Sequence, residues 1–164
     1  MILSFDVGIR NLAYCLIDNS DNDWNILDWN IIDCTSSNSI LTLIKELDAL
    51  PHLLNSTTVL IEKQPSFNPK MRIISGCIYT YFTLRIAHEL NRNVKLIFYS
   101  AKHKLKHINV EQIKAKTKYS RNKKTAIEET KFILKESDWL NFFLNNKKKD
   151  DLADSLLQGL SYIN

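Results

Sequence analysis

The chain opens with MILSFDVGIRNLAYCLI, and no other stretch limits its possible folds as much. Met1 to Asp6 alternates as a strand does, Gly8 permits a turn, and Leu12 to Ile17 resumes as a second strand pairing back on the first. The result is a hairpin whose core-like first strand ends in a carboxylate. Burying a charge alone is costly, so Asp6 needs a metal ion, a cation from elsewhere in the fold, or water beside it.

The next segments extend this hairpin into a sheet. Asn25 to Asp33 alternates and supplies a third strand, antiparallel to the second. The Thr35 to Ser39 cluster is cap chemistry for a helix carrying Ile40, Leu41, Ile44 and Leu47, which ends before Pro51. Thr57 to Glu62 (TTVLIE) is β-branched and apolar, as suits a central strand buried on both faces, and it too ends in an acid. Two prolines make Lys63 to Pro69 a loop. Val94 to Tyr99 is the fifth strand, reached through a helical crossover and therefore parallel to the fourth.

That crossover, Lys70 to Leu90, is apolar on more than one face, with Met71, Ile73, Ile74, Cys77, Ile78, Tyr79, Tyr81, Phe82, Leu84 and Ile86. It is too short between its charges for a bilayer span, so its second face meets another subunit or a neighbouring helix of the same chain. Asn122 can cap a further helix running to about Lys135, and Trp139 to Leu144 gives a short apolar patch. KKKDDLADSLLQGLSYIN closes the chain as a helix.

Composition narrows the class. With 164 residues, 45% hydrophobic and 24% charged, residues 1–164 suit one globular domain. No basic region precedes the first apolar residues, which argues against a signal peptide and for an intracellular, cytoplasmic protein that is not secreted. Cys15, Cys34 and Cys77 are too scattered for a zinc site or a disulfide framework and read as buried, reduced thiols. Charge is divided unevenly: residues 1–66 carry three Lys and Arg against nine acids, a net −6, and residues 67–164 carry nineteen against nine, a net +10. From Lys102 to Lys124 nine basic residues face only Glu111, which suggests a polyanionic partner such as nucleic acid.

In the closing helix, Leu152, Ala153, Leu156, Leu157, Leu160 and Ile163 share one arc of the helical wheel, with Asp151, Asp154, Ser155 and Gln158 on the opposite arc. Two acids in a first turn need no function, since they favour the helix dipole. The set of four is more telling. Asp6 and Glu62 end strands expected to be neighbours, and the last helix adds Asp151 and Asp154. Converging carboxylates raise one another's pKa unless a cation neutralises them, and Mg²⁺ or Mn²⁺ suits carboxylate and water ligands. Two such ions support in-line hydrolysis of a phosphodiester, and the basic strip would grip the flanking phosphates.

The order of these elements resembles the ribonuclease H-like fold: α/β, with a five-stranded mixed sheet made of an antiparallel meander plus two parallel strands, flanked by helices. More narrowly, FDVGIRNLAYCLI, VLIEKQPSFNPKMR and KKDDLADSLLQGL resemble the RuvC-type Holliday junction resolvases, especially those of poxviruses, other large DNA viruses and mitochondria. The resemblance implies a two-metal endonuclease that cuts four-way DNA junctions by symmetric paired nicks, with Mg²⁺ as cofactor and Mn²⁺ able to substitute. It matches Asp6, Glu62, Asp151 and Asp154 to the metal-binding acids; Asp150 falls near Leu157 on the helical wheel and could instead cap the helix, which ranks it below Asp151. It also implies a lysine near the scissile phosphate, Lys124 first and Lys123 second. Tyr99-Ser100-Ala101 lacks the proline of the bacterial members, so Lys102, Lys104 and Lys106 cannot be assigned individually. Together with Lys118, Arg121 and Lys123 they are candidate DNA contacts, and His103 and His107 belong to the same strip.

A homodimer is implied too, because the junction is two-fold symmetric, and helix 70–90 is the candidate interface. Phe67 either wedges between bases at the junction centre or simply packs. Other readings keep part of the pattern: a hybrid or flap nuclease on the same fold, or a non-catalytic junction-binding protein. A sugar-kinase or actin-like ATPase would need further glycine-rich phosphate loops, and only Gly8, Gly76 and Gly159 are present, so no nucleotide cofactor is expected; the short apolar run of helix 70–90 gives no reason to expect a membrane.

Overall fold

A computed structural model describes residues 1–20, 23–100 and 117–163. Its sheet contains β1 (Ile2–Asp6), β2 (Leu12–Asp18), β3 (Asn25–Ile32), β4 (Thr58–Glu62) and β5 (Lys95–Tyr99), in the spatial order β3-β2-β1-β4-β5. β1 lies at the centre, antiparallel to β2 and parallel to β4, and β5 continues parallel to β4. This is the mixed α/β, ribonuclease H-like sheet expected from the sequence. β3 pairs antiparallel with β2, with a register irregularity between Leu16 and Ile17.

Alternation along the strands divides the core into two layers. Leu3, Phe5, Tyr14, Val59 and Ile61 pack with Leu43, Leu47, Ile74, Ile78, Phe82 and Ile86, beneath α1 (Ser39–Asp48) and α2 (Pro69–Phe82). On the other side Ala13, Cys15, Ile17 and Trp29 pack with Ala126, Leu134, Phe143, Leu152, Ala153 and Leu156. Those residues come from α3 (Lys118–Ile133) and its last turn, α4 (Trp139–Asn145) and α5 (Lys149–Ile163). Successive strand residues point to opposite faces. With Phe5 and Ile61 committed to the α2 side, Asp6 and Glu62 are directed to the α5 side.

Several boundaries differ from expectation for local reasons. The long helix is α-helical only to Phe82; Thr83–Glu89 continues as a π-helical turn, where the Arg85 guanidinium reaches both Asp48 and Glu89. α3 begins at Lys118 rather than near Asn122, because Thr117 caps it: the Thr117 hydroxyl accepts from the Ser120 N–H, and the Ser120 hydroxyl accepts from the Thr117 N–H. A 3₁₀ turn (Pro51–Asn55) leads into β4. Cys15 and Cys34 are buried and free as expected, whereas the free Cys77 is only half-buried. No helix among the described residues is long and apolar enough to cross a membrane.

Candidate active site

The four acids arrive on three elements. β1 ends at Asp6, only 8% exposed, with the small residue Ala13 opposite it on β2. In the parallel pairing of β1 with β4, Phe5 lies beside Ile61, so one step further the same register carries Asp6 and Glu62 to one end of the sheet. The Gln64 side chain turns back and donates from Nε2 to Glu62 Oε2 at 2.8 Å, which orients that carboxylate.

Between β1 and β2 the chain turns very tightly. A Cβ at Gly8 would stand 2.5 Å from the Asn11 carbonyl oxygen, so no other residue fits without moving the loop. The glycine is required by this close approach, since its φ is not positive. The Cys34 N–H donates to the Ile9 carbonyl at 2.8 Å and ties the loop to the segment after β3.

α5 is fastened to the sheet by polar groups as well as by leucines. Trp29 Nε1–H donates to the Leu152 carbonyl and to Ser155 Oγ, each at 3.1 Å. Gln158 Nε2 donates to the Phe5 carbonyl at 3.0 Å and to Ser4 Oγ at 3.1 Å. Ser155 and Gln158 are both fully buried, so the helical arc they share with Asp151 and Asp154 is packed against the sheet and is not a free polar face. At Gly159 an added Cβ would meet Ile17 Cδ1 at 2.5 Å, a measure of how closely this helix approaches β2.

Asp6 and Asp151 line one open cavity of about 460 Å³, together with Gly8, Arg10, Asn11, Thr35 and Met71. Burial pushes the Asp151 carboxyl up to about 6, and the charges of Asp150 and Asp154 add to that, against the opposing pull of Lys123 and Lys148. Asp150 behaves differently. Burial is its largest single influence and acts upward, yet the Lys123 hydrogen bond and charge, aided by backbone N–H groups, hold its carboxyl below the ordinary range. Lys123 and Asp150 form an ion pair joining α3 to α5. Lys124, the residue ranked first from the sequence, lies on the exposed side of α3, and Lys123 is the lysine that reaches the acids.

The structure thus brings Asp6 and Asp151 into one cavity, Glu62 beside Asp6, and Asp154 one turn along α5. Among the described residues no three acidic, histidine or cysteine side chains stand close enough together to grip one ion. The donor set still suits a hard divalent cation: oxygen ligands only, one of them almost fully buried and another raised in pKa by burial and like charge. Arg121 is half-buried on α3, Lys118 opens that helix, and Phe67 is 85% exposed in the loop after Glu62. Lys102, Lys104 and Lys106, with His103 and His107, lie outside the described residues. Sequence reasoning does not single out the positioning groups Gln64, Trp29, Ser155 and Gln158. The signal present is two polar residues, Ser155 and Gln158, on a helix otherwise rich in leucine.

Comparison with known proteins adds relatives to this geometry. The model of the family described as Poxvirus A22 protein matches residues 1–164. The uncharacterized protein L451 of Acanthamoeba polyphaga mimivirus is 38% identical over 136 residues, covering 74% of this chain and 33% of that protein. The resolvase OPG149 of Variola virus is 27% identical over 169 residues, covering 99% of this chain and 75% of the resolvase. The chain therefore spans about a third of the mimivirus relative's length. Among solved structures, the fowlpox virus resolvase in complex with its substrate Holliday junction DNA superimposes with a TM-score of 0.66 at 28% identity, over 99% of this chain and 95% of that one. The yeast mitochondrial Holliday junction resolvase shares the fold, with a TM-score of 0.64 at 20% identity over 99% and 78% of the two chains.

Proposed function

The chain belongs to the family described as Poxvirus A22 protein, and from that premise we propose that it is a structure-selective DNA endonuclease that resolves four-way (Holliday) junctions by metal-assisted hydrolysis. The observation that carries the reading is the cavity shared by Asp6 and Asp151, with Glu62 in register beside Asp6. The resolvase names of the fowlpox and Variola relatives, and the Holliday junction DNA that is the fowlpox enzyme's substrate, support it. Residues 1–164 are read as one nuclease domain.

Asp6, Glu62, Asp151 and Asp154 would hold two Mg²⁺ ions, for which Mn²⁺ would substitute. Such a pair, when bound, supplies an activated water and neutralises charge on the attacking and leaving oxygens. The water oxygen bonds to phosphorus and the bond to the leaving sugar oxygen breaks, giving one phosphate end and one hydroxyl end. The protein's own part is placement. Asp6, rigid at the end of a central strand, would be the central ligand. Gln64 fixes the rotamer of Glu62, and the tight turn at Gly8, closed against the Asn11 carbonyl, holds the loop that borders the cavity beside Asp6. Lys123 occupies Asp150, which leaves Asp151 to face the cavity, and from that position it is also the better placed lysine for the scissile phosphate. Arg121 and Lys118 on α3, with Lys102, Lys104 and Lys106, would hold flanking phosphates, and Phe67 would enter the junction centre.

Two opposed cuts require two active sites. We assign the second to a homodimer formed through the α1–α2 face. There Ile73 is 54% exposed and Leu84 49% exposed, beside a groove of about 570 Å³ that also contains Ile40, Ile44 and Cys77. An immobile four-way junction, labelled on each strand in turn and compared with duplex, RNA–DNA hybrid and flap substrates in Mg²⁺, tests the function. Paired nicks at symmetric positions are expected, and faster cleavage of the hybrid or the flap would refute it.

A further inference from the structure

On the α2 side of β4, immediately after Glu62, lies a second open cleft of about 560 Å³ lined by Lys63, Gln64, Ser66, Arg72, Ser75, Gly76 and Phe98. Its chemistry is unlike that of a core defect. Phe98 is 46% exposed although it sits on a strand, and its ring lies flat on Tyr79, with centroids 5.3 Å apart and planes at 9°. Tyr79 thus backs Phe98 and holds its ring in place, while the same ring faces the cleft. Lys63 and Arg72 stand exposed on the cleft wall. Arg72 and Gly76, on the α2 wall of the cleft, also line the groove through which the second copy would dock, so the cleft opens at the edge of that interface.

An exposed, pre-oriented aromatic ring next to two cations is the combination that holds single-stranded nucleic acid: the ring stacks on a base and the cations take its phosphates. The cleft is also joined to the active carboxylate, because Gln64 lines it and donates to Glu62. Resting on the junction-nuclease reading above, we infer that this cleft is a subsite for one unstacked nucleotide adjoining the cleaved phosphate. Its base lies on Phe98 and its phosphate lies between Lys63 and Arg72. Ser66, Ser75 and Gln64 border the base edge and make the subsite a source of sequence preference at that nucleotide. Phe67 stands apart from it, since it is not among the residues lining the cleft.

The test places 2-aminopurine, one position at a time, at the nucleotides flanking the cleavage point of a four-way junction. The intact chain is then titrated in Ca²⁺, which replaces Mg²⁺ to suppress cutting. Fluorescence should rise at one position on binding, and Phe98→Ala should abolish that rise while weakening junction binding about five- to a hundredfold. Phe98→Leu, which keeps an apolar side chain on the strand, should lose the signal too. If the junction binds and is cut but no position brightens, or if the brightening survives both variants, the subsite is refuted and the nuclease reading stands. If the junction is not bound in preference to duplex, the nuclease reading itself fails and takes the subsite with it.

Discussion

Gln158 on α5 donates a hydrogen bond to the backbone carbonyl of Phe5 at 3.0 Å, one residue before Asp6. A fully buried amide therefore sets the distance between the strand that carries one acid and the helix that carries two. Its Oε1 is buried without a partner, so this amide is retained although an apolar side chain would avoid that desolvation cost. Gln158→Leu should cost at most about 1–3 kcal/mol in urea unfolding, because two acceptors lose a donor while apolar packing improves. Its effect on function should be larger: kcat on a junction falls at least tenfold while junction affinity measured in Ca²⁺ is unchanged. Gln158→Glu, which cannot donate when ionised, should not restore the rate.

Asp151 stores instability that a cation would relieve. Its carboxyl protonates at about 6 in the folded chain, against an ordinary value near 3.8, so the folded state binds the proton more tightly. Stability of the metal-free chain from this group therefore rises as pH falls from 7 through 6 and levels off below about 4. Asp151→Asn should stabilise the chain by about 1–2 kcal/mol at pH 7.5 in EDTA, and by nothing at pH 4. Thermal unfolding at the two pH values checks this. Adding Mg²⁺ at pH 7.5 should raise the wild-type Tm and move the variant less.

Lys123 and Lys124 are neighbours in sequence with different surroundings, one paired with Asp150 and the other exposed. Lys123→Met should lower the junction cleavage rate by at least tenfold, since it leaves Asp150 a half-buried, unpaired charge next to Asp151. Lys124→Met should change the rate only a few-fold, through weaker phosphate contact. Single-turnover rates at saturating enzyme separate the two.

The α1–α2 face should fail as an interface when charged. Ile73→Glu and Leu84→Glu lie on exposed positions, so folding measured by circular dichroism should be unaffected. Light scattering should show the wild type as a dimer and the double variant as a monomer. The monomer should nick junctions singly, without the paired second cut.

Periodicity makes most of the sheet legible. Asp6 and Glu62 can each be placed at the end of an apolar strand because strands alternate, and a helical crossover makes β5 parallel to β4; the β1–β4 pairing that makes the two acids neighbours leaves no such local signal. The helix ends are less visible. Thr117 caps α3 through a reciprocal bond with Ser120, and a Thr-x-x-Ser pair is a weaker signal than one with Glu in the last place. The π turn after Phe82 accompanies Arg85 contacts to Asp48 in α1, and partners so distant in sequence leave no local trace. The closing helix is legible as the carrier of two acids, but its pattern alone does not distinguish Ser155 and Gln158 from solvent-facing polar residues. Their burial comes from Trp29 and from Ser4 and Phe5, more than a hundred residues earlier. The choice between Lys123 and Lys124 likewise depends on how α3 is rotated against α5, which spacing alone does not reveal.

On the proposed function, the four acids form one hydrolytic centre serving a bound junction. A labelled four-way junction followed with Asp154→Asn in Mg²⁺ reads binding and cleavage on the same complex. Junction affinity should stay within a few-fold of wild type while cleavage falls at least a hundredfold. A variant that binds and still cuts at the wild-type rate would contradict it.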